Sequence, residues 1–310
     1  MNPCFVVAAN WKDRWFLPAC IYSIRKNYPE AKIFLLKDTY RGDFSTHNVE
    51  NVFNVTIIDK TLSFGGGGWV KILPALRGKF AEYFQYPLMI LDADVIVQGR
   101  VFEDLLKVEG DVIVSPDLNA FGGSSEYISQ TYLSVDCLHQ MGYSPEQISA
   151  FPWFNSGHML VREPYVENEF SQKWIDWNSS PVSRMDNKLY PLTDQSFLNH
   201  YLLSNTQVSL GVLDFADWAG EEQIKTGERS CDTYPYSPER VLHYAGLASV
   251  PYWKMPNWKV FSKYNKSAER LLGKRGRLAI SHSFQSFSKR VLGAIGPANR
   301  AKIKGMLFSK

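Results

Sequence analysis

Residues 86–99, YPLMILDADVIVQG, restrict what this chain can fold into. Leu88 to Leu91 and Val95 to Val97 form an apolar, β-branched-rich run that reads as one strand buried on both faces. Asp92 and Asp94 stand at its centre, two residues apart and so on the same side of an extended chain. Two carboxylates in such surroundings are costly to bury unless a cation neutralises them. The chain therefore needs helices over both faces of a sheet, and a positive charge at the aspartates.

Further short apolar runs stand at residues 4–9 (CFVVAA), 32–36 (KIFLL), 54–58 (NVTII), 111–115 (DVIVS) and 157–161 (GHMLV). They alternate with helical patterns through Leu17, Ile21 and Ile24, and over 101–107, 163–177 and 194–203. This predicts a doubly wound α/β domain over residues 1–258, with ligands at the carboxyl ends of the strands, where Asp92 and Asp94 lie. Residues 117–152 are polar and contain Gly and Ser, which predicts an irregular insertion shaping an acceptor site. The run Gly65–Gly68 lacks the spacing of a phosphate-binding loop and reads as a hinge or tight turn before a helix near Trp69.

Apolar residues make up 45% and charged residues 21% of the 310, so a sizeable core is affordable and general disorder is excluded. The net charge of +3 hides a division. Residues 259–310 carry 13 lysines and arginines against one acid, Glu269, while the preceding residues carry 21 against 30. The body is acidic and the C-terminal extension basic. In that extension, helical segments at 267–273, 286–294 and 299–307 interleave apolar and cationic residues, which suits an anionic membrane surface. An acidic body without a recognised motif speaks against nucleic acid. Cys4, Cys20, Cys137 and Cys231 show no metal-finger spacing and read as free thiols in a reducing compartment. The first residues are too weakly apolar for a signal peptide, and no run approaches the roughly 20 apolar residues of a membrane span. A cytoplasmic protein is expected, peripheral at the inner face of a membrane if the extension binds lipid.

Carboxylate oxygens suit Mg²⁺ or Mn²⁺, both of which complete their shells with phosphate oxygens. A metal held by Asp-x-Asp at a strand end is placed to neutralise the diphosphate of a nucleotide-sugar as the sugar–phosphate bond breaks.

The segment from WVKILPAL (69–76) to ILDADVIV (90–97) resembles the glycosyltransferases of the GT-A fold. Three more segments narrow the likeness to the retaining family 8, which includes glycogenin and the lipopolysaccharide galactosyl- and glucosyltransferases. They are FNSGHMLV (154–161), LTDQSFLN (192–199) and LHYAG (242–246), in the family's order over residues 5–258. The resemblance implies a central mixed sheet flanked by helices, a UDP-sugar donor, and a saccharide or glycolipid acceptor. It implies that Asp94 and His243 ligate the metal and that Asp92 shares the metal and the ribose hydroxyls. One imidazole with two carboxylates favours Mn²⁺ over Mg²⁺. Ala8, Ala9 and Asn10 match where the family binds uracil and ribose, and Ala93, Gly157 and Gly246 line the donor within the same motifs. Lys71 would contact the donor phosphate or sugar, or be a solvated helix lysine. Asn155 and Asp194 would bond the donor sugar's hydroxyls, and Asp194 is equally suited to N-cap its helix. Gln195 would lie on the β-face of the anomeric carbon. A neutral amide is a poor nucleophile, so front-face attack through an ion-pair-like transition state is favoured over a covalent intermediate.

One departure stands out. The family's His-x-x-Gly-x-x-Lys element reads HYAGLAS here, with Ser249 in the lysine's place and Lys254 further on. Three alternatives compete with retention. An inverting GT-A enzyme would recruit Asp194 or Asp217 as base. A sugar-1-phosphate nucleotidyltransferase needs a Gly-rich loop after the first strand, which AANWKDRW lacks. A non-catalytic membrane scaffold has no use for two carboxylates inside an apolar run. Trp153, Trp218 and Trp253 are candidates for shaping sugar and acceptor choice.

Overall fold

The computed structural model describes residues 3–39, 42–58, 84–117, 120, 124–163, 193–219, 240–247, 250 and 254–273, with the side chains of 193 and 194 excepted. The Gly65–Gly68 run, Lys71, residues 164–177 of the helix expected at 163–177, Cys231, Ser249, Trp253 and the chain after 273 lie outside these residues.

Seven strands form the main sheet in the order β3-β2-β1-β4-β7-β6-β8. In chain order they are β1 (Cys4–Asn10), β2 (Lys32–Asp38), β3 (Thr56–Ile58), β4 (Leu88–Asp92), β6 (Val112–Pro116), β7 (Phe154–Val161) and β8 (Leu210–Val212). β1 to β4 run parallel, and β7 is antiparallel to both β4 and β6. A second sheet of three strands has the order β5-β10-β9, from β5 (Val95–Gln98), β9 (Ala216–Trp218) and β10 (Arg240–His243).

Period-two alternation assigns each strand's residues to two cores. Val6, Leu36, Ile90, Val114 and Met159 face one, together with Phe197 and Tyr201 of the helix Thr193–Ser204. Val7, Leu35, Leu91, Ile113 and Leu160 face the other, against α1 (Leu17–Asn27). On α1 the stripe Leu17, Cys20, Ile21 and Ile24 has helical spacing and is buried throughout. Each such side chain, fully buried, contributes about 1.5–3 kcal/mol relative to exposure. A third cluster joins the second sheet to α1 through Phe16, Ala19, Ile96, Leu242, Tyr244 and Phe261.

Three expectations are corrected. Residues 88–97 are two strands in two sheets. The chain turns at Ala93 and Asp94. Ala93 N–H still donates to Ala8 O of the main sheet at 3.0 Å, while Asp94 O accepts from Tyr244 N of the second at 2.9 Å. A continuous strand would have kept both carboxylates between neighbours, whereas the corner lets them emerge at a sheet end. Second, the described part of residues 117–152 is not irregular. It contains α4 (Ser125–Thr131), α5 (Val135–Gln140) and α6 (Pro145–Ala150), each capped by a serine ten residues after the last. Ser124, Ser134 and Ser144 accept from Tyr127, Cys137 and Gln147 N–H, and Ser144 with Gln147 completes a capping box. Third, the helix expected at 267–273 begins at 258. It packs on α1 through Phe16–Phe261 and Tyr22–Tyr264 ring contacts. With α2 (His47–Phe53) and α3 (Val101–Leu105) counted, the helix Thr193–Ser204 is α7 and Trp258–Leu271 is α8. No helix of the described residues is long and apolar enough to cross a membrane.

Candidate metal and donor site

The corner between the sheets gathers the polar groups. Asp92 ends β4, Asp94 sits in the turn, and His243 ends β10 in register with Val95 of β5 and Trp218 of β9. His243 Nε2 lies 3.1 Å from Asp94 Oδ1 and 3.8 Å from Asp92 Oδ2. One ligand atom from each residue lies within 4.8 Å of the others.

The donor set fits a hard or borderline dication. Asp94 Oδ1 is buried, faces His243 Nε2 at 3.1 Å, and accepts no hydrogen bond among the described residues. A buried carboxylate oxygen in that state is stabilised by a nearby positive charge. Space is kept for one at Gly157. A methyl group there would meet His243 Cε1 at 2.4 Å and Asn155 Oδ1 and Asp92 Oδ2 at 2.7 Å. Cys20 lies below the aspartates, with its Sγ 3.7 Å from Asp92 O. Burial, then the charges of Asp94 and Asp92, push its thiol well up, so it stays protonated and offers no thiolate ligand. Cys4, Cys20 and Cys137 are free thiols, as expected.

The His243 ring is held by other rings. Trp218 lies 5.2 Å away at 31°, and His158, fully buried, 5.3 Å away edge-on. Trp218 thus packs on the candidate ligand. Trp153 is a core residue instead: it is fully buried and its indole N–H donates to Ile148 O at 2.9 Å. That corrects its proposed part in sugar choice.

Asn155, near the start of β7, reaches the same cradle. Its Oδ1 accepts from Gly157 N–H at 2.6 Å and its Nδ2 donates to Gln195 Oε1 at 2.6 Å. Gln195 Nε2 donates to Thr131 O of α4 at 3.2 Å. Ala8 pairs with Asp92 in register, and Ala9 and Asn10 complete the end of β1. Asn10 Oδ1 accepts from Lys12 N–H at 2.8 Å. Just beyond it, the Arg14 guanidinium stacks 3.5 Å from the Trp11 ring and 4.3 Å from the Trp15 ring, and burial lowers its pKa to about 10. Ala93 is buried, so only its backbone can meet a ligand. Gly246 has a φ of +76°, a conformation that favours glycine. Asp194 lies in the first turn of α7, and Lys254 is exposed. Asp217 is 3.2 Å from Arg240 Nε, paired with a cation.

No family model and no curated protein matches the chain. Solved structures do. The galactosyltransferase LgtC, in complex with donor and acceptor sugar analogs, superposes with a TM-score of 0.53 at 16% identity, over 85% of this chain and 95% of that one. The glycosyltransferase GlyE of Streptococcus pneumoniae gives 0.54 at 16% identity, over 88% and 63%. The bifunctional glycosyltransferase WbbM gives 0.60 at 12% identity, over 88% and 52%. This chain has the GT-A fold. At these identities the fold is what is shared.

Replacing Gly157 by alanine is compatible with a strand but fills the cradle. Manganese affinity, read by electron paramagnetic resonance, is expected to fall about 10- to 100-fold, and because the methyl group would overlap buried side chains the melting temperature is expected to fall as well. Unchanged affinity would place the metal elsewhere.

Proposed function

We propose that this protein is a metal-dependent glycosyltransferase that moves a hexose from a UDP-sugar to a saccharide or lipid-linked acceptor with retention. The convergence of Asp92, Asp94 and His243 at the end of β4, beside the Asn155–Gln195 amide pair, carries the reading. The complex of LgtC with donor and acceptor sugar analogs supports it. So does the LgtC structure with an active-site glutamine replaced by glutamate.

In this reading Asp92, Asp94 and His243 hold Mn²⁺, or Mg²⁺, which when bound offsets the charge gathering on the departing diphosphate. Ala8, Ala9 and Asn10 carry the base and ribose, with Ala93, Gly157 and Gly246 offering backbone along the donor. Asn155 and Asp194 orient the sugar's hydroxyls. Gln195, neutral and 6% exposed, faces the β-side of the anomeric carbon. It contributes an amide dipole rather than a nucleophile, so the acceptor attacks from the face the diphosphate leaves. Lys71 is assigned to the donor phosphate, with Lys254 the substitute for the cation missing at Ser249. The pairing of Asp217 with Arg240 weakens it as the base an inverting enzyme would require. A screen of UDP-, GDP- and CMP-sugars should find hydrolysis of a UDP-sugar that chelation abolishes and that Asp94→Asn slows by at least about 100-fold. No turnover of any UDP-sugar, or a fully active Asp94→Asn, would overturn the reading.

For location we propose an anionic membrane surface, at its cytoplasmic face. Lys259, Lys263, Lys266 and Arg270 are exposed along α8 at helical spacing. Glu269, the single acid of residues 259–310, is turned inward at 3% exposure and accepts from Asn265 at 3.2 Å. The full chain should cosediment with phosphatidylglycerol vesicles at low salt and release as salt rises, leaving phosphatidylcholine vesicles unbound. Equal binding to both would contradict it.

A further inference from the structure

Gln195 and Asn155 belong to a helix and a strand that no backbone hydrogen bond of a sheet joins, yet their amides meet at 2.6 Å. The connection is made one helical turn later. Asn199 is fully buried. Its Oδ1 accepts from Phe154 N–H at 3.2 Å, and its Nδ2 donates to Phe154 O at 2.9 Å and to Gln195 O at 2.8 Å. β4 pairs with β7 only at His158–Val161, so at Phe154 the carboxamide stands where a neighbouring strand would. Asn199 thereby fixes α7 to the residue before Asn155 and to the carbonyl of Gln195 itself. A carboxamide is suited to this task because it offers an acceptor and two donors in one plane.

We propose that Asn199 is a positioning residue of this active site, setting the separation and rotation of the Gln195 and Asn155 amides without touching substrate. The proposal rests on the reading of Gln195 and Asn155 as groups that face the donor sugar. Without Asn199, Phe154 N–H and C=O lose their partner, and α7 can slide on β7. Displacement of a positioned group by about 1 Å lowers turnover by up to about 100-fold. The candidate metal ligands stand on β4, the corner and β10, none of which Asn199 bonds, so metal affinity should change little.

The test compares Asn199→Ala with Leu198→Ala, a neighbour on the same helix that is equally buried in the apolar core. Asn199→Ser serves if the alanine variant does not fold. The expected result is a fall in kcat of about 10- to 100-fold for UDP-sugar hydrolysis in the Asn199 variant. KM for the donor and Mn²⁺ affinity should be little changed. Leu198→Ala should lose thermal stability but keep kcat. If the active wild type loses no kcat on Asn199 substitution, or loses as much with Leu198→Ala, the positioning role is overturned. A wild type that hydrolyses no UDP-sugar refutes instead the reading of the site.

Discussion

Two like charges two residues apart cannot stay inside an apolar strand, and the arrangement of this molecule follows from how that conflict is relieved. The chain turns at Ala93 and Asp94 and passes from the main sheet into the second. Asp92 stays at the end of β4 while Val95 opens β5, and β5 recruits β10, which brings His243 to the aspartates. The corner is therefore both the release of an electrostatic conflict and the device that brings a histidine from a distant part of the chain to the two aspartates.

The antiparallel strand β7 supplies the rest. Lying between β4 and β6, it presents Gly157 to the aspartates and Asn155 to α7. Gly157 keeps the cradle open because it has no side chain, and its flanking residues are buried to either side. On the other side Thr131 O of α4 holds the far end of the Gln195 amide. The glutamine is thus gripped by a strand on one side and a helix of the 117–152 segment on the other.

Much of this could be read in the sequence. The apolar runs match strands β1, β2, β6 and β7 to within a few residues, and the helical pattern over 194–203 matches α7, because period and length speak directly to local structure. What period cannot report is sheet membership: LMILD and VIVQ are equally apolar whether they form one strand or two. The helices of 117–152 were obscured by their polar composition, although Ser144-Pro145-Glu146-Gln147 is a capping box written in the sequence. Trp153 and Trp218 look alike as aromatic residues, yet one fills the core and the other packs on His243. Asn199 was part of a recognised motif without a role, since its partners are the backbone atoms of Phe154 and only the packed helix shows them.

The proposed function turns on one divalent ion that Asp92, Asp94 and His243 would share. Crystals grown with Mn²⁺ and UDP, measured at the manganese absorption edge, address it directly. The account requires a single strong anomalous peak within coordination distance of all three side chains, with the pyrophosphate on its open side. A peak bound elsewhere, or none while UDP is clearly seated at the end of β1, would contradict it.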